Sequence, residues 1–393
     1  MCGMSGTKDM DALLQSFVAG GLPGCGMKIT RRGKTVYEGY FGSSELETGK
    51  PLTRDAVFRQ ASTSKLPLYT AVMMLYEQGK FLLTDPLYEF LPEYKESTKV
   101  VRRPGGSVEI VKTDRPILIK DILTMRCGLP YCNAPAETND ITLREMAKAM
   151  QPLWEKGHFT NREQVKAISR VPLAFEPGTH WLYGFASELT CALLEAVTGM
   201  GAEAALEKML FEPLEMKDTR AHFFGDIQQR MVKLYAMDEN KTCTPVKLDF
   251  EKTFLPGEEN EAGWARLFAT VGDYSNLMQM LACGGTFRGE RLLGRKTIDL
   301  MRTNVLTPEQ LADYTNPYEA GYGYGYGVRT LMDRAEGNVN GSPGAFGWTG
   351  GYGAWCEADP SEGASFVYMH NLVPNGERYY HPRVRAVAYG LLD

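Results

Sequence analysis

Apolar residues near the start of the chain recur at helical spacing. Met10, Leu13, Leu14, Phe17 and Val18 fall on one face, which predicts an amphipathic helix over residues 8–19. The period then shortens. Met27 and Ile29 alternate on one arm of residues 25–41, and Val36 and Tyr40 share a face on the other, so a hairpin turning at Arg32-Gly33 is expected. Glu38 interrupts the apolar face of the second arm. Helical spacing returns over 62–79, with Leu66, Tyr69, Met73 and Tyr76 on one face and Gly79 as the stop. Pro67 falls early in that helix, where a missing N–H costs least.

Residues 80–260 are mixed. Helices are expected near 140–150, 160–169 and 185–198, with Pro177-Gly178 separating the last two. Residues 98–120 read as an inserted polar hairpin turning at Pro104-Gly105-Gly106. Farther on, 270–283 and 296–303 read as helices, and the Gly-Tyr alternation of 321–327 as an aromatic strand or loop. Two strands are expected in 344–371, around Pro360-Ser361-Glu362-Gly363, and a short helix over 382–392. Strands therefore gather at both ends of the chain, with helices between them. This predicts an α/β protein of the segregated α+β type. One antiparallel sheet joins the two ends, flanked by the terminal helices, in a lobe of about 1–60 and 265–393. A mainly helical lobe of about 61–264 completes a single unit, 1–393, with the site expected in the cleft between them.

Composition narrows the partners. Hydrophobic residues make up 44% of the 393 positions and charged residues 23%, ordinary usage for a globular chain. The net charge is -5, and basic pairs such as Arg31-Arg32 and Arg102-Arg103 are isolated, so no nucleic-acid partner is expected. No run approaches the roughly 18 apolar residues of a membrane span, and the first residues lack a basic stretch followed by an apolar one, so the expected location is cytoplasmic. The eight cysteines form no C-x-x-C pair and read as reduced, mostly buried thiols. The five histidines form no H-E-x-x-H or H-x-H pattern, so neither a metal nor another cofactor is expected.

The chemistry concentrates in Phe58-Arg59-Gln60-Ala61-Ser62-Thr63-Ser64-Lys65, at the opening of the helix expected over 62–79. Ser62 and Lys65, three apart, share a helix face. A serine hydroxyl is a poor nucleophile until a base takes its proton. A lysine serves as that base only where burial or nearby positive groups suppress its charge. At a helix N-terminus the Ser62 N–H has no intrahelical partner and can help to stabilise an oxyanion. The spacing alone is weak, since Ser5-Gly6-Thr7-Lys8 also matches it. Two further stretches give it company: Phe175-Glu176-Pro177-Gly178-Thr179-His180-Trp181-Leu182-Tyr183 and Phe346-Gly347-Trp348-Thr349-Gly350-Gly351.

With these three stretches the chain resembles the serine β-lactamase and penicillin-binding-protein superfamily on its class C side, and looks especially like the family VIII carboxylesterases. Smaller matches extend the likeness nearly end to end, among them Leu83-Thr84-Asp85-Pro86, Cys127-Gly128-Leu129, Phe211-Glu212-Pro213-Leu214 and Val271-Gly272-Asp273-Tyr274. The resemblance implies a β-lactamase/transpeptidase-like fold, with Ser62 as nucleophile and Lys65 sharing or relaying its proton. Tyr183 would be general base and then acid toward the leaving group, and the N–H groups of Ser62 and Gly351 would form the oxyanion hole. Phe185, Trp348, Thr349 and Gly350 would bind substrate. Three literal Tyr-x-Asn triplets compete with Tyr183, beginning at Tyr131, Tyr274 and Tyr314, but only Tyr183 follows the Pro-Gly-Thr-x-Trp context. Tyr131 is the serious rival.

Departures from the β-lactamases narrow the substrate. Phe185 stands where they carry Asn, and Trp348 where they carry Lys or His. A cation there would pair with a substrate carboxylate, whereas tryptophan offers an apolar wall. Met125-Arg126-Cys127-Gly128-Leu129 replaces a His-Thr-Ser-Gly-Leu loop, with no functional account from sequence alone. The expected activity is hydrolysis of a small ester through an acyl-enzyme on Ser62. Action on a β-lactam, a D-amino-acid peptide or another amide is the alternative, and a catalytically inactive binding protein is the alternative of another class.

Overall fold

The computed structural model describes residues 3–132, 138, 140–248, 254–255, 266–314 and 320–392. Arg32 and Gly33 both take left-handed backbone angles, φ 49° and 80°, the geometry that lets a two-residue turn match the twist of its strands. The hairpin they close, Gly24–Arg31 with Lys34–Glu45, carries a register shift between Ile29 and Thr30. Glu38, which spoils the apolar pattern, pairs with Lys28 across the strands at 3.5 Å.

Gly24–Arg31 pairs on its other side with Ala364–His370, from Cys25 opposite His370 to Arg31 opposite Ala364. Chain start and chain end thus meet in one antiparallel sheet. Its spatial order is Tyr322–Tyr324, Arg329–Leu331, Phe346–Thr349, Trp355–Asp359, Ala364–His370, Gly24–Arg31, Lys34–Glu45, Lys50–Pro51. Alternate residues face opposite layers. Met27, Ile29, Trp355, Phe366 and Tyr368 pack with Phe17 and Val384 of the terminal helices, Gly3–Ala19 and Glu377–Gly390. Cys356, Ala358, Val367 and Met369 pack against Tyr274, Leu277 and Leu281 of the helix Val271–Ala282, in a core that continues into the helical elements between residues 65 and 211. The α/β arrangement is the one expected.

Several boundaries move. The segment 344–371 forms three strands, not two, because the glycine-rich turn 350–353 reverses the chain before Trp355. The last helix starts at Glu377 rather than 382. Pro382 lies inside it, and the carbonyl it leaves without an intrahelical donor belongs to Arg378, an exposed residue. The helix Lys65–Glu77 is buried on all sides rather than along one face: Leu68, Ala71 and Val72 are as covered as Leu66 and Tyr69. Its stop at Gly79 is as read, with φ 70° and the Lys80 N–H closing onto the Leu75 carbonyl at 3.1 Å. Among the described residues no single helix is long and apolar enough to cross a membrane.

His370 ends the strand Ala364–His370 and is fully buried. Burial pushes its pKa down to about 4, against an opposing hydrogen bond to the Asn375 carbonyl. An imidazole in the unfolded chain takes its proton near pH 6.5. The unfolded state therefore binds more protons between pH 6.5 and 4, and stability rises with pH across that window. Denaturation at pH 7 and pH 4 should differ by roughly 3 kcal/mol on account of this residue. His370→Gln should flatten the slope, and an unaltered slope would contradict a buried neutral ring.

Candidate active site

Ser62 stands on a 3-10 turn, Ala61–Ser64, that leads into the helix Lys65–Glu77. The helix itself therefore opens three residues later than Ser62, yet the pair still aligns, because residues three apart eclipse in a 3-10 turn. Lys65 Nζ lies 3.4 Å from Ser62 Oγ. Ala61 holds a left-handed conformation, φ 46°, unusual for a residue with a side chain and the device that turns Ser62 outward. The strand Val57–Arg59 pairs with Phe268–Thr270. Beyond it, the Gln60 N–H donates to the Leu267 carbonyl at 2.9 Å, and Ser64 Oγ accepts from the Leu267 N–H at 3.1 Å. Tyr274 donates its hydroxyl to the Thr63 carbonyl at 3.2 Å. It is a support behind the turn, which sets it apart from Tyr131 and Tyr183.

Tyr131 and Tyr183 are brought side by side by backbone pairing. Pro130 and Gly184 form an antiparallel bridge, the Leu182 N–H donates to the Met125 carbonyl at 2.8 Å, and the Phe185 N–H to the Leu129 carbonyl at 3.0 Å. A Cβ on Gly184 would sit 2.0 Å from the Leu129 carbonyl oxygen, so only glycine allows the approach. This gives the divergent stretch Met125–Leu129 a role: it docks the segment that carries Tyr183. The two tyrosine rings meet edge to face at 5.6 Å, and Lys65 Nζ lies 5.1 Å from the Tyr183 ring centre and 5.7 Å from that of Tyr131. Asn133 and Asn316, which complete two of the rival triplets, lie outside the described residues.

Trp348 stacks on Tyr183 at 5.4 Å, and its Nε1–H donates to the Tyr183 hydroxyl at 3.1 Å. The Gly-Tyr run supports this wall, since Tyr324 meets Trp348 and Trp181 edge-on, each at 5.4 Å. Gly350 presses the turn after Trp348 against the turn that carries Ser62, where a Cβ would lie 2.3 Å from the Gln60 carbonyl oxygen. Ser62, Tyr183, Trp348, Thr349, Gly350 and Gly351 thus line one cleft of about 430 Å³. Phe185 does not line it: its ring is buried, edge-on to Tyr131 at 5.2 Å, so it acts on the cleft only through that ring. The polar hairpin, Thr98–Arg102 with Val108–Lys112, also contributes no lining residue.

Lys65 is 1% exposed. Burial is the largest influence and favours the neutral amine, but attraction from Tyr131, Tyr183 and Glu188, and a hydrogen bond with Tyr131, outweigh it, so Lys65 is held above the usual ammonium range. Burial likewise pushes the Tyr131 phenol up, against the opposing pull of Lys65. The expected suppression of the Lys65 charge is thus opposed by Tyr131, Tyr183 and Glu188. Glu188, 2% exposed in the first turn of the helix Ala186–Thr198, accepts a 2.7 Å hydrogen bond from Ser187. At the cleft mouth stand two more carboxylates, Asp313 and Glu377, and no lysine or arginine is among the lining residues. Among the described residues no group of three or more His, Cys, Asp or Glu could hold a metal.

A family model described as Beta-lactamase matches residues 10–390. The chain belongs to the Beta-lactamase family. Protein Rv1367c of Mycobacterium tuberculosis (strain ATCC 25618 / H37Rv) is similar to it at 27% identity over 363 residues, covering 91% of this chain and 88% of the relative. Esterase EstB of Burkholderia gladioli is similar at 25% identity over 367 residues, covering 88% and 86%. The solved structure of EstCE1, titled a hydrolase with promiscuous acyltransferase activity, shares the fold with a TM-score of 0.82 at 22% identity over 99% of both chains. This Beta-lactamase-family chain thus stands among hydrolases that include esterases, acyltransferases and peptidases.

Sequence reasoning missed Glu188, Asp313 and Glu377, which carry no motif, and missed that Trp348 donates to Tyr183. Gly350→Ala tests the tight junction of the two turns. It should leave the protein folded, with circular dichroism unchanged, and lower the rate of Ser62 phosphonylation by a serine-directed phosphonate at least about tenfold. A wild-type labelling rate would mean that the turn relaxes without moving Ser62.

Proposed function

We propose that this protein is a serine carboxylesterase that forms an acyl-enzyme on Ser62. The observation that carries the reading is the 3.4 Å approach of Lys65 Nζ to Ser62 Oγ in a cleft that Tyr183 also lines. Lys65, Tyr131 and Tyr183 act as one acid–base unit in this reading, because Lys65 Nζ lies 5.1 Å from the Tyr183 ring centre and 5.7 Å from that of Tyr131. In its reactive form the unit is one proton short, either ammonium with phenolate or amine with phenol. Ser62 Oγ attacks the ester carbonyl carbon and its proton fills that vacancy. The carbonyl π electrons move to oxygen, and the N–H groups of Ser62 and Gly351 receive the oxyanion. When the intermediate collapses, the C–O bond to the alcohol breaks and Tyr183 returns the proton to the leaving oxygen. Water then repeats the sequence on the acyl-enzyme, and the acid is released with Ser62 restored. Tyr183, which lines the cleft with Ser62, is preferred to Tyr131 as the group that exchanges the proton.

The substrate class follows from the lining. Four aromatic side chains, Trp181, Tyr183, Tyr314 and Trp348, supply apolar area, while Asp313 and Glu377 disfavour an anion. An uncharged small ester fits; among the described lining residues a β-lactam or peptide carboxylate meets no lysine or arginine. With purified protein, kcat/KM for a short-chain nitrophenyl ester should exceed that for a chromogenic cephalosporin by well over tenfold. The ester reaction should show a burst, and Ser62→Ala should lower turnover at least about a thousandfold. Faster cephalosporin than ester cleavage would move the activity to amides, and undiminished turnover by Ser62→Ala would remove the nucleophile.

A further inference from the structure

We propose that Asn375, which itself lines the cleft, and His381 are positioning residues that aim the Gly351 N–H into the cleft by holding the carbonyls of the turn 350–353. This inference rests on the Ser62 acyl-enzyme reading, because it concerns the donor that would receive the oxyanion.

The turn is held by its carbonyls. Asn375 Nδ2 donates to the Gly350 carbonyl at 3.3 Å, the Leu372 N–H to the Tyr352 carbonyl at 3.0 Å, and His381 Nε2 to the Gly353 carbonyl at 3.1 Å. All three donors come from the segment that follows the strand Ala364–His370. The Gly353 N–H adds a second bond to the Gly350 carbonyl at 2.9 Å. In a trans peptide the carbonyl of one residue and the N–H of the next point in opposite directions. Fixing the Gly350 carbonyl on Asn375 Nδ2 and the Gly353 N–H therefore fixes the direction of the Gly351 N–H, on a residue that lines the cleft.

The clamp is itself fixed. His370 Nε2 lies 2.8 Å from the Asn375 carbonyl, and His370 Nδ1 lies 3.0 Å from the Tyr368 hydroxyl. A carbonyl only accepts, so the single proton of the neutral ring sits on Nε2, and Nδ1 accepts from Tyr368. The same logic puts the His381 proton on Nε2. Both rings are fully buried, and burial holds both below the usual imidazole range. Gly353 permits this arrangement: its φ is 115°, and a Cβ would come 2.0 Å from His370 Nε2. The network therefore has one arrangement of donors and little room for another.

The test compares His381→Gln, which keeps a donor at similar reach, with His381→Leu, which removes it, and adds Asn375→Leu. His381→Leu and Asn375→Leu should each lower kcat for a nitrophenyl ester on the order of tenfold, short of the 10²–10³ lost when an oxyanion donor is deleted outright. KM should stay within about twofold, and the affinity for an arylboronate that mimics the tetrahedral intermediate should fall in step with kcat. His381→Gln should recover kcat to within about threefold of wild type. If the Leu variants fold and keep wild-type kcat, or if Gln and Leu at 381 fall equally, the clamp is packing and the proposal is wrong. Should His381→Leu fail to fold, Asn375→Leu and His381→Gln decide by the same criteria. Phosphonate labelling of wild-type Ser62 separates the two claims. Without labelling, the acyl-enzyme reading fails; with labelling but unaltered kcat in the variants, only the clamp fails.

Discussion

Lys65 is a cation removed from water, and withdrawing such a charge costs several kcal/mol unless other groups replace its hydration. The replacements come from different parts of the chain. Ser62 Oγ approaches from the preceding turn, two aromatic rings approach from segments 129–131 and 182–185, and Glu188 supplies the negative charge from the helix Ala186–Thr198. None of these groups is useful unless all stand within a few ångströms, so the ammonium couples the chemistry to the packing of the helical lobe. Breaking one partner strands a charge, and the cost then appears as lost stability as well as lost rate. A charged lysine beside two phenols also suits the proposed chemistry, because it lowers the energy of negative charge on a neighbouring phenol oxygen.

Two turns convert this charged cluster into a cleft. The strained Ala61 presents Ser62 on one side, and the glycine-rich turn 350–353 presents Gly351 on the other. They touch through Gly350 and the Gln60 carbonyl. The first turn is anchored by 267–274 and the second by 370–381, so both anchors lie on or beside the sheet that joins the chain ends. Sheet and helical elements therefore contribute different things: one the backbone donors, the other the acid–base side chains.

Much of this was legible in the sequence. The hairpin at Arg32-Gly33, the Gly79 stop and the joining of the ends in one sheet followed from local periodicity and turn chemistry, which act over few residues. Ser62, Lys65 and Tyr183 stood out because their spacing and flanks form motifs. What stayed hidden depends on distance in space. Glu188 reads as an ordinary helix residue until its burial beside Lys65 is known. Phe185 reads as a substrate wall from its place two residues after Tyr183, but the helix it opens turns its ring onto Tyr131. The last helix overrode a proline because the bond lost there faces solvent.

The division of labour bears on how one fold serves esterases, acyltransferases and peptidases. Ser62, Lys65 and the two tyrosines form a mutually dependent cluster around a buried ammonium, in which a change to one member disturbs the others. The mouth is different. Asp313 and Glu377 stand at its edge, and Trp348, at the position where a β-lactamase carries Lys or His, is held by stacking and a single hydrogen bond. Substituting a rim charge alters which substrate enters with little effect on the charge balance around Lys65. Trp348 is the exception, because its N–H also contacts the Tyr183 oxygen. At that one position selectivity and acid–base chemistry are joined, so exchanging the tryptophan for a cation would both invite a carboxylate and alter the group that moves the proton.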